Sequence, residues 1–379
     1  KWAIHSASLS LSSSTVAAAR SFRQRSFVSG KDAGSTGSPI QSASVKIGAG
    51  VFWCGCGFST IAAIVGTRGL PRNLMTLAEP EKRAMDQRFT DGFWHSADGL
   101  KLHYRDYPGG SEGQPPIVCM HGLTRNARDF AGLAERLSPE WRVIVPEMRG
   151  RGASDYAENS QSYNPVQYVE DVENLLGELE VGRFVAIGTS LGGLMTILLA
   201  SRGAERIAGA VLNDIGPEIE PEGIEKIRGY VGQARSFPTW MHAARALEEV
   251  HSDAHPDFEL EDWLAAAKRM MVLGQHGRIS FDYDMAIADA FRESDDTAGA
   301  PTANMWLAFE SLAQTPLLLV RGELSNLLSQ GTVEQMQTRN RGMQVVEVPR
   351  TGHAPTLEEP EASAAIDALL AQVRAREIA

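Results

Sequence analysis

The stretch FVAIGTSLGGLMTILLA, residues 184–200, decides how this chain is to be read. Phe184–Ile187 is a short apolar run of strand character, and Leu194–Ala200 is an apolar run of helical character. Between them Gly188-Thr189-Ser190-Leu191-Gly192 matches the pattern G-x-S-x-G. A strand that passes into a helix within so few residues must turn sharply, and the flanking glycines leave the backbone room to do so. Such a turn lifts the serine hydroxyl above the sheet edge, where it can act as a nucleophile. The helix begins beside the serine, so its unpaired N–H groups face any negative charge that develops there. An accidental Gly/Ser turn is the bland alternative, and the strand and helix on either side weigh against it.

Upstream, Phe89–Tyr107 holds Phe93, Trp94, Leu102 and Tyr104 around Asp98-Gly99 and predicts a hairpin. Further short runs bounded by Gly, Pro or charge occur at Ile117–Met120, Arg142–Val145, Ala208–Leu212, Pro316–Val320 and Gln344–Val348. Amphipathic stretches such as Asp129–Leu137 and Tyr168–Leu179 lie between them. This alternation predicts an α/β architecture, a mostly parallel sheet covered by helices on both faces. It stops between Asp214 and Thr315, where a helix-like interval carries Trp240, Trp263 and Trp306. The expected organisation is a core over 75–215, an inserted helical cap over 216–313, and a second part of the core over 314–379.

Acyl transfer needs a base and two backbone donors for the oxyanion. Gly352-His353-Ala354-Pro355 follows the last strand and supplies His353 as the base, late in the chain. Ile117–Met120 runs into His121-Gly122-Leu123. The N–H groups of Leu123 and of Leu191, directly after the nucleophile, are the expected donors, and His121 is expected to bond loop backbone.

Taken together, His121-Gly122, Arg149-Gly150-Arg151-Gly152-Ala153-Ser154-Asp155, Gly188–Gly192 and Gly352-His353 resemble the α/β-hydrolase superfamily from about Asp91 to Leu370. Within it the chain is similar to the small capped, cofactor-free serine ester hydrolases of esterase or lactonase type. Epoxide hydrolases and haloalkane dehalogenases of the superfamily use an aspartate nucleophile, which Ser190 argues against. The third triad member is where the pattern departs. The acid commonly follows the strand Pro316–Val320, and there Asn326 stands where similar hydrolases carry aspartate. An asparagine offers the imidazolium a dipole but no charge. Glu323 in the same loop is one alternative. Asp214, in Asn213-Asp214-Ile215-Gly216-Pro217 at the end of another strand, is the preferred acid, because it resembles the Asp-Ile-x-Pro motif of a group of small esterases. An Asx turn before Gly-Pro would also account for it.

The substrate is expected between cap and sheet edge, with Phe130, Trp240, Trp263, Met270, Met271, Trp306 and Phe309 as candidate walls. Each also suits an ordinary packed core. Arg125 and Arg128 lie close to the oxyanion loop, yet no arginine pair marks an anionic substrate. The expectation is a carboxylic ester with a small to medium, uncharged and largely apolar acyl group, cleaved through an acyl-enzyme. A lactonase acting on acyl-homoserine lactones or enol-lactones is the alternative. A catalytically inactive ligand-binding protein on the same fold is a remoter one.

The chain has 379 residues and a formal net charge of −11. Residues 1–74 carry net +7, and the remainder carries 28 bases against 46 acids, net −18. A body that acidic repels phosphate backbones, so nucleic acid is not an expected partner. Cys119 is alone in the body, which points to a reducing, cytoplasmic compartment. No Cys/His cluster has zinc spacing, so neither metal nor organic cofactor is expected. The oligomeric state is left open. Residues 1–46 are Ser- and Ala-rich, and 47–67 is an uncharged run interrupted by Gly48, Gly50, Gly55, Gly57 and Gly66. That leader reads as a targeting peptide, as a membrane anchor over 47–67, or as upstream sequence translated in frame. The last is preferred because the first methionine is Met75. A membrane enters the expectation only if the 47–67 run is a native anchor.

Overall fold

The computed structural model describes residues 88–289 and 302–378. The leader and its 47–67 run lie outside the described residues. Eight strands form the central sheet: β1 (Thr90–His95), β2 (Lys101–Tyr107), β3 (Ile117–Met120), β4 (Val143–Glu147), β5 (Phe184–Thr189), β6 (Ile207–Asn213), and two later strands. Three short strands intervene, β7 (Ser236–Phe237), β8 (Met271–Leu273) and β9 (Ile279–Phe281), before β10 (Leu317–Gly322) and β11 (Gln344–Val348). The sheet order is β1-β2-β4-β3-β5-β6-β10-β11. β1 and β2 form the antiparallel hairpin, with Thr90 opposite Asp106 and His95 opposite Lys101. β2 pairs antiparallel with β4, and from β4 to β11 every pairing is parallel.

Successive strand side chains face opposite sides of a sheet, and here both sides are covered. Val118 and Met120 of β3, with Ala186 of β5 and Leu212 of β6, pack beside Val172, Leu176, Met195 and Leu199 of the helices Pro165–Glu178 and Leu191–Gly203. Ile117, Cys119, Val185, Ile187 and Val211 point the other way, toward Leu133, Ile366 and Leu370 of the helices Ala131–Leu137 and Pro360–Ile378. That double burial explains why these strands are continuous apolar runs rather than alternating ones. Helix starts are chemically marked. Asn164 accepts the Gln167 N–H ahead of Pro165, and Thr239 accepts the His242 N–H ahead of Trp240, each satisfying a donor the helix itself cannot.

The insertion expected to be helical holds the helices Pro221–Tyr230, Trp240–His251 and Leu260–Met270. It also holds a three-stranded antiparallel sheet in the order β7-β9-β8. Phe237, Ala243, Leu247, Trp263, Ala267, Met270 and Ile279 form its own apolar cluster. The helix Thr302–Glu310 belongs elsewhere: Trp306 and Phe309 join the cluster that contains Met195 and Leu199 of the core. No helix among the described residues is long and apolar enough to cross a membrane.

Candidate active site

Ser190 sits on the turn between β5 and the helix Leu191–Gly203, with φ +53° and ψ −115°. A non-glycine residue in such a conformation stores about 1–3 kcal/mol of strain, tolerated only where the surroundings impose it. They do. A Cβ on Gly188 would lie 2.2 Å from the Gly192 carbonyl oxygen, and a Cβ on Gly192 would lie 1.9 Å from that of Met120. The turn is therefore packed backbone against backbone. Asn213, at the end of β6, ties it to its neighbours: its amide donates to Thr189 Oγ1 at 3.0 Å and to the Pro355 carbonyl at 2.8 Å. In addition, the Ser190 N–H donates to the Asn213 carbonyl at 3.0 Å.

His353 reaches the elbow from the loop after β11. Its Nδ1 lies 2.8 Å from Asp214 Oδ2 and its Nε2 lies 3.0 Å from Ser190 Oγ. A carboxylate only accepts, so Nδ1 carries the proton and Nε2 is left free to accept from the serine. Asp214 is fully buried. Its Oδ1 accepts the Gly322 N–H at 3.0 Å, and Oδ2 accepts the Ser325 hydroxyl at 2.7 Å as well as the imidazole N–H. Buried charge survives only when hydrogen-bonded in this way. Asp214 directly follows β6 and Gly322 closes β10, and these strands are adjacent and parallel.

Asn326, the other residue weighed for this position, hydrogen-bonds to neither imidazole nitrogen, since both are engaged. It lines a small hollow of about 20 Å³ with Gly223, Lys226, Ala254 and His353 itself. The carboxylate of Glu323 accepts the Arg350 N–H at 2.6 Å. Ser325, between these two, is the member of the loop that touches the acid, and nothing in its sequence context marked it.

His121 orients the peptide of Leu123, one of the two expected oxyanion donors. Its Nδ1 lies 2.8 Å from the Gly122 carbonyl, while its Nε2 accepts the Met148 N–H at 3.1 Å. Burial, reinforced by the nearby Arg151 charge, holds this imidazole neutral with its pKa lowered to about 4. With the Gly122 carbonyl drawn toward His121, the trans peptide sends the Leu123 N–H in the opposite direction. Arg151 fixes the other side of the same residue, donating from Nε to the Leu123 carbonyl at 2.9 Å. Neither the Leu123 nor the Leu191 N–H donates to another group among the described residues. Arg149, from the same Arg-Gly-Arg-Gly run, is fully buried and donates from Nε and Nη2 to Asp171 and from Nη1 and Nη2 to Asp98.

A cavity of about 150 Å³ opens over Ser190 and His353, bounded by Leu123, Arg125, Phe130, Trp263 and Met270. Phe130, Trp263 and Met270 were expected there. Trp240 packs in the cap cluster, and Met271 lines a neighbouring cavity. Trp306 and Phe309 lie in the core cluster. The walls are less apolar than expected, because Tyr230, His251 and His255 of the cap also face the cavity. Burial, then the Arg125 charge, lowers both histidines to about 4. Arg125 itself is paired with Asp129 through Nε at 2.6 Å and Nη2 at 2.7 Å. Arg128 reaches instead to Asp282 at 2.7 Å and to the Arg269 carbonyl. Among the described residues no group of His, Cys, Asp and Glu side chains is placed to hold a metal ion.

Comparison with known proteins agrees with this architecture. The alpha/beta hydrolase family matches residues 117–366, and the chain belongs to that family. It is a hydrolase with esterases among its relatives. A 3-hydroxybutyrate-oligomer hydrolase of Cupriavidus necator is 35% identical over 275 residues, covering 71% of this chain and 93% of the relative. An esterase of Mycobacterium tuberculosis is 28% identical over 264 residues, covering 65% of this chain and 80% of its own. Among solved structures, an alpha/beta hydrolase from Novosphingobium aromaticivorans is 55% identical with a TM-score of 0.71, covering 75% of this chain and 98% of that one.

Proposed function

We propose that the protein is a serine-dependent carboxylic ester hydrolase working through Ser190, His353 and Asp214. The observation that carries this reading is one imidazole hydrogen-bonded on one side to an elbow serine and on the other to a fully buried carboxylate. Ser190 Oγ attacks the ester carbonyl as His353 Nε2 takes its proton. The carbonyl oxygen, now anionic, receives the Leu123 and Leu191 N–H groups. Collapse breaks the bond to the alcohol oxygen, which leaves with the proton returned by the imidazolium. Water then repeats the sequence on the acyl-serine, with His353 again as base, and releases the acid. Asp214 holds the productive tautomer throughout and balances the imidazolium charge.

The small reaction cavity favours short acyl groups over long fatty chains, and the C. necator relative is named for an oligomer of a four-carbon hydroxy acid. Short esters of hydroxy acids are thus the preferred substrates in this reading. A reducing, cytoplasmic setting forms part of the same proposal, resting on Cys119 as a free and buried thiol. A fluorophosphonate probe tests the chemistry. It should label the native protein and fail to label Ser190→Ala, whose hydrolysis of short p-nitrophenyl esters should fall to background. Undiminished labelling or hydrolysis by Ser190→Ala would sink the assignment.

A further inference from the structure

A second cavity, about 430 Å³, adjoins the reaction cavity. Gly229, Phe237, Met271 and Phe281 line only the second, whereas Tyr230 and His251 line both and so stand where the two meet. His255 faces the reaction cavity from the same side. It stacks on Phe258 at 4.5 Å between ring centres, and Tyr230 meets His251 edge-on at 5.2 Å. These ring contacts fix the three side chains without using their polar atoms. None of the three side chains hydrogen-bonds to another group among the described residues, although each lines the cavity that opens over Ser190. All three side chains are half-buried, and their polar atoms stay open to water when no substrate is bound. A substrate that displaces that water must supply partners or leave them unpaired, which costs binding energy.

What partner they fit follows from their chemistry. Each neutral imidazole presents one N–H donor and one acceptor nitrogen, and the phenol presents a donor and an acceptor. Such a set matches uncharged oxygens, the carbonyl of an ester or a hydroxyl, and matches a plain alkyl chain poorly. The volumes point the same way. Roughly 300–1,000 Å³ is ordinary for a small-molecule site; the reaction cavity at about 150 Å³ falls short of that alone, and the second cavity does not.

We propose that Tyr230, His251 and His255 form a polar collar between the two cavities, and that the substrate is an oligoester of short hydroxy acids threaded through it. One unit occupies the reaction cavity. The oxygens of the next meet the collar, and the remaining chain lies in the second cavity against Phe237, Met271 and Phe281. This rests on the ester-hydrolase reading above and adds to it the residues that select for chain oxygens and chain length.

The test uses the full chain with ethyl butyrate and with the dimer, trimer and tetramer of 3-hydroxybutyrate, each followed by product release. Wild type should favour the trimer over ethyl butyrate. Tyr230→Phe and His255→Phe should each lower that ratio of kcat/KM by about tenfold, mainly through KM, because each removes one hydrogen bond and keeps a ring. Gly229→Phe probes the second cavity. A Cβ there meets nothing within 4 Å, and the glycine lies inside the helix Pro221–Tyr230 at an ordinary helical φ, so the variant should fold. It should lower the tetramer-to-dimer ratio by about tenfold. Ratios unchanged in Tyr230→Phe and Gly229→Phe would overturn the collar while leaving the hydrolase intact. A wild-type protein that cleaves none of these esters would overturn both.

Discussion

Replacing Asp214 by asparagine changes one atom, and the surroundings dictate where that atom goes. Oδ1 accepts a backbone N–H from Gly322, which cannot be turned round, so the asparagine oxygen must occupy that side. The amide nitrogen then falls at the Oδ2 position, facing His353 Nδ1 and the Ser325 hydroxyl. Ser325 Oγ already accepts the Leu327 and Leu328 N–H groups at 3.3 and 3.2 Å, so it has no lone pair left for the amide. The imidazole can adapt only by moving its proton to Nε2, and in that tautomer it cannot take a proton from Ser190. The equivalent change in a serine protease costs ~10⁴ in kcat, or about 5.5 kcal/mol of barrier. The same loss is expected here at pH 8, with KM little altered and a melting temperature close to wild type. Asn326→Asp should leave kcat near its wild-type value, since both imidazole nitrogens are already engaged. The assay is kcat on a short p-nitrophenyl ester for both single variants and the double. A loss below tenfold in Asp214→Asn, or a large gain in Asn326→Asp, refutes the reasoning.

Ser325→Ala removes the hydroxyl that donates to Asp214 at 2.7 Å and should lower kcat about tenfold with KM nearly constant; an unchanged kcat would show that the hydroxyl does not help position the acid. Gly192→Ala drives a methyl group into the Met120 carbonyl and should cost ~3 kcal/mol in urea unfolding, with a cost under about 1 kcal/mol contradicting the close packing of the elbow. His121, buried and lowered to about 4, binds its proton in the unfolded chain first, so its contribution is present above the unfolded pKa and is lost as pH falls toward 4. By pH 5 this amounts to about 2 kcal/mol. His121→Gln, which cannot titrate, should flatten the decline in melting temperature between pH 6.5 and 4.5, and an equally steep decline would count against a neutral, buried His121.

The elements most visible in the sequence were those whose chemistry is local. The strand before Ser190, the glycines around it and the helix after it are contiguous, and the structure has them as β5, elbow and helix Leu191–Gly203. Strand order was less accessible, and the choice between Asp214 and Asn326 depended on it. β6 and β10 are adjacent and parallel, so both loops leave the same sheet edge beside His353. Which one meets the imidazole is a matter of ångströms that no spacing rule resolves. The strands β7, β8 and β9 are two or three residues long, too short for a period-two pattern to register. Tyr230, His251 and His255 passed unnoticed for another reason. Tyr230 and His251 close amphipathic helices and His255 lies in the loop beyond, where Tyr and His read as surface, and only the fold shows that this surface is turned inward over Ser190.

The three residues of the proposed relay arrive at different times during synthesis. Ser190 and Asp214 leave the ribosome close together, but His353 lies 139 residues beyond Asp214. At ordinary translation rates of about 5–20 residues per second, that interval is roughly 7–30 s. Even then β10 must dock against β6, and β11 against β10, before the imidazole loop has anything to rest on. Under the proposed mechanism, a nascent chain carries Ser190 before its base exists, and the serine stays chemically mute. In that mechanism reactivity comes with the insertion of the last two strands, so a prematurely terminated product would be inert rather than indiscriminate.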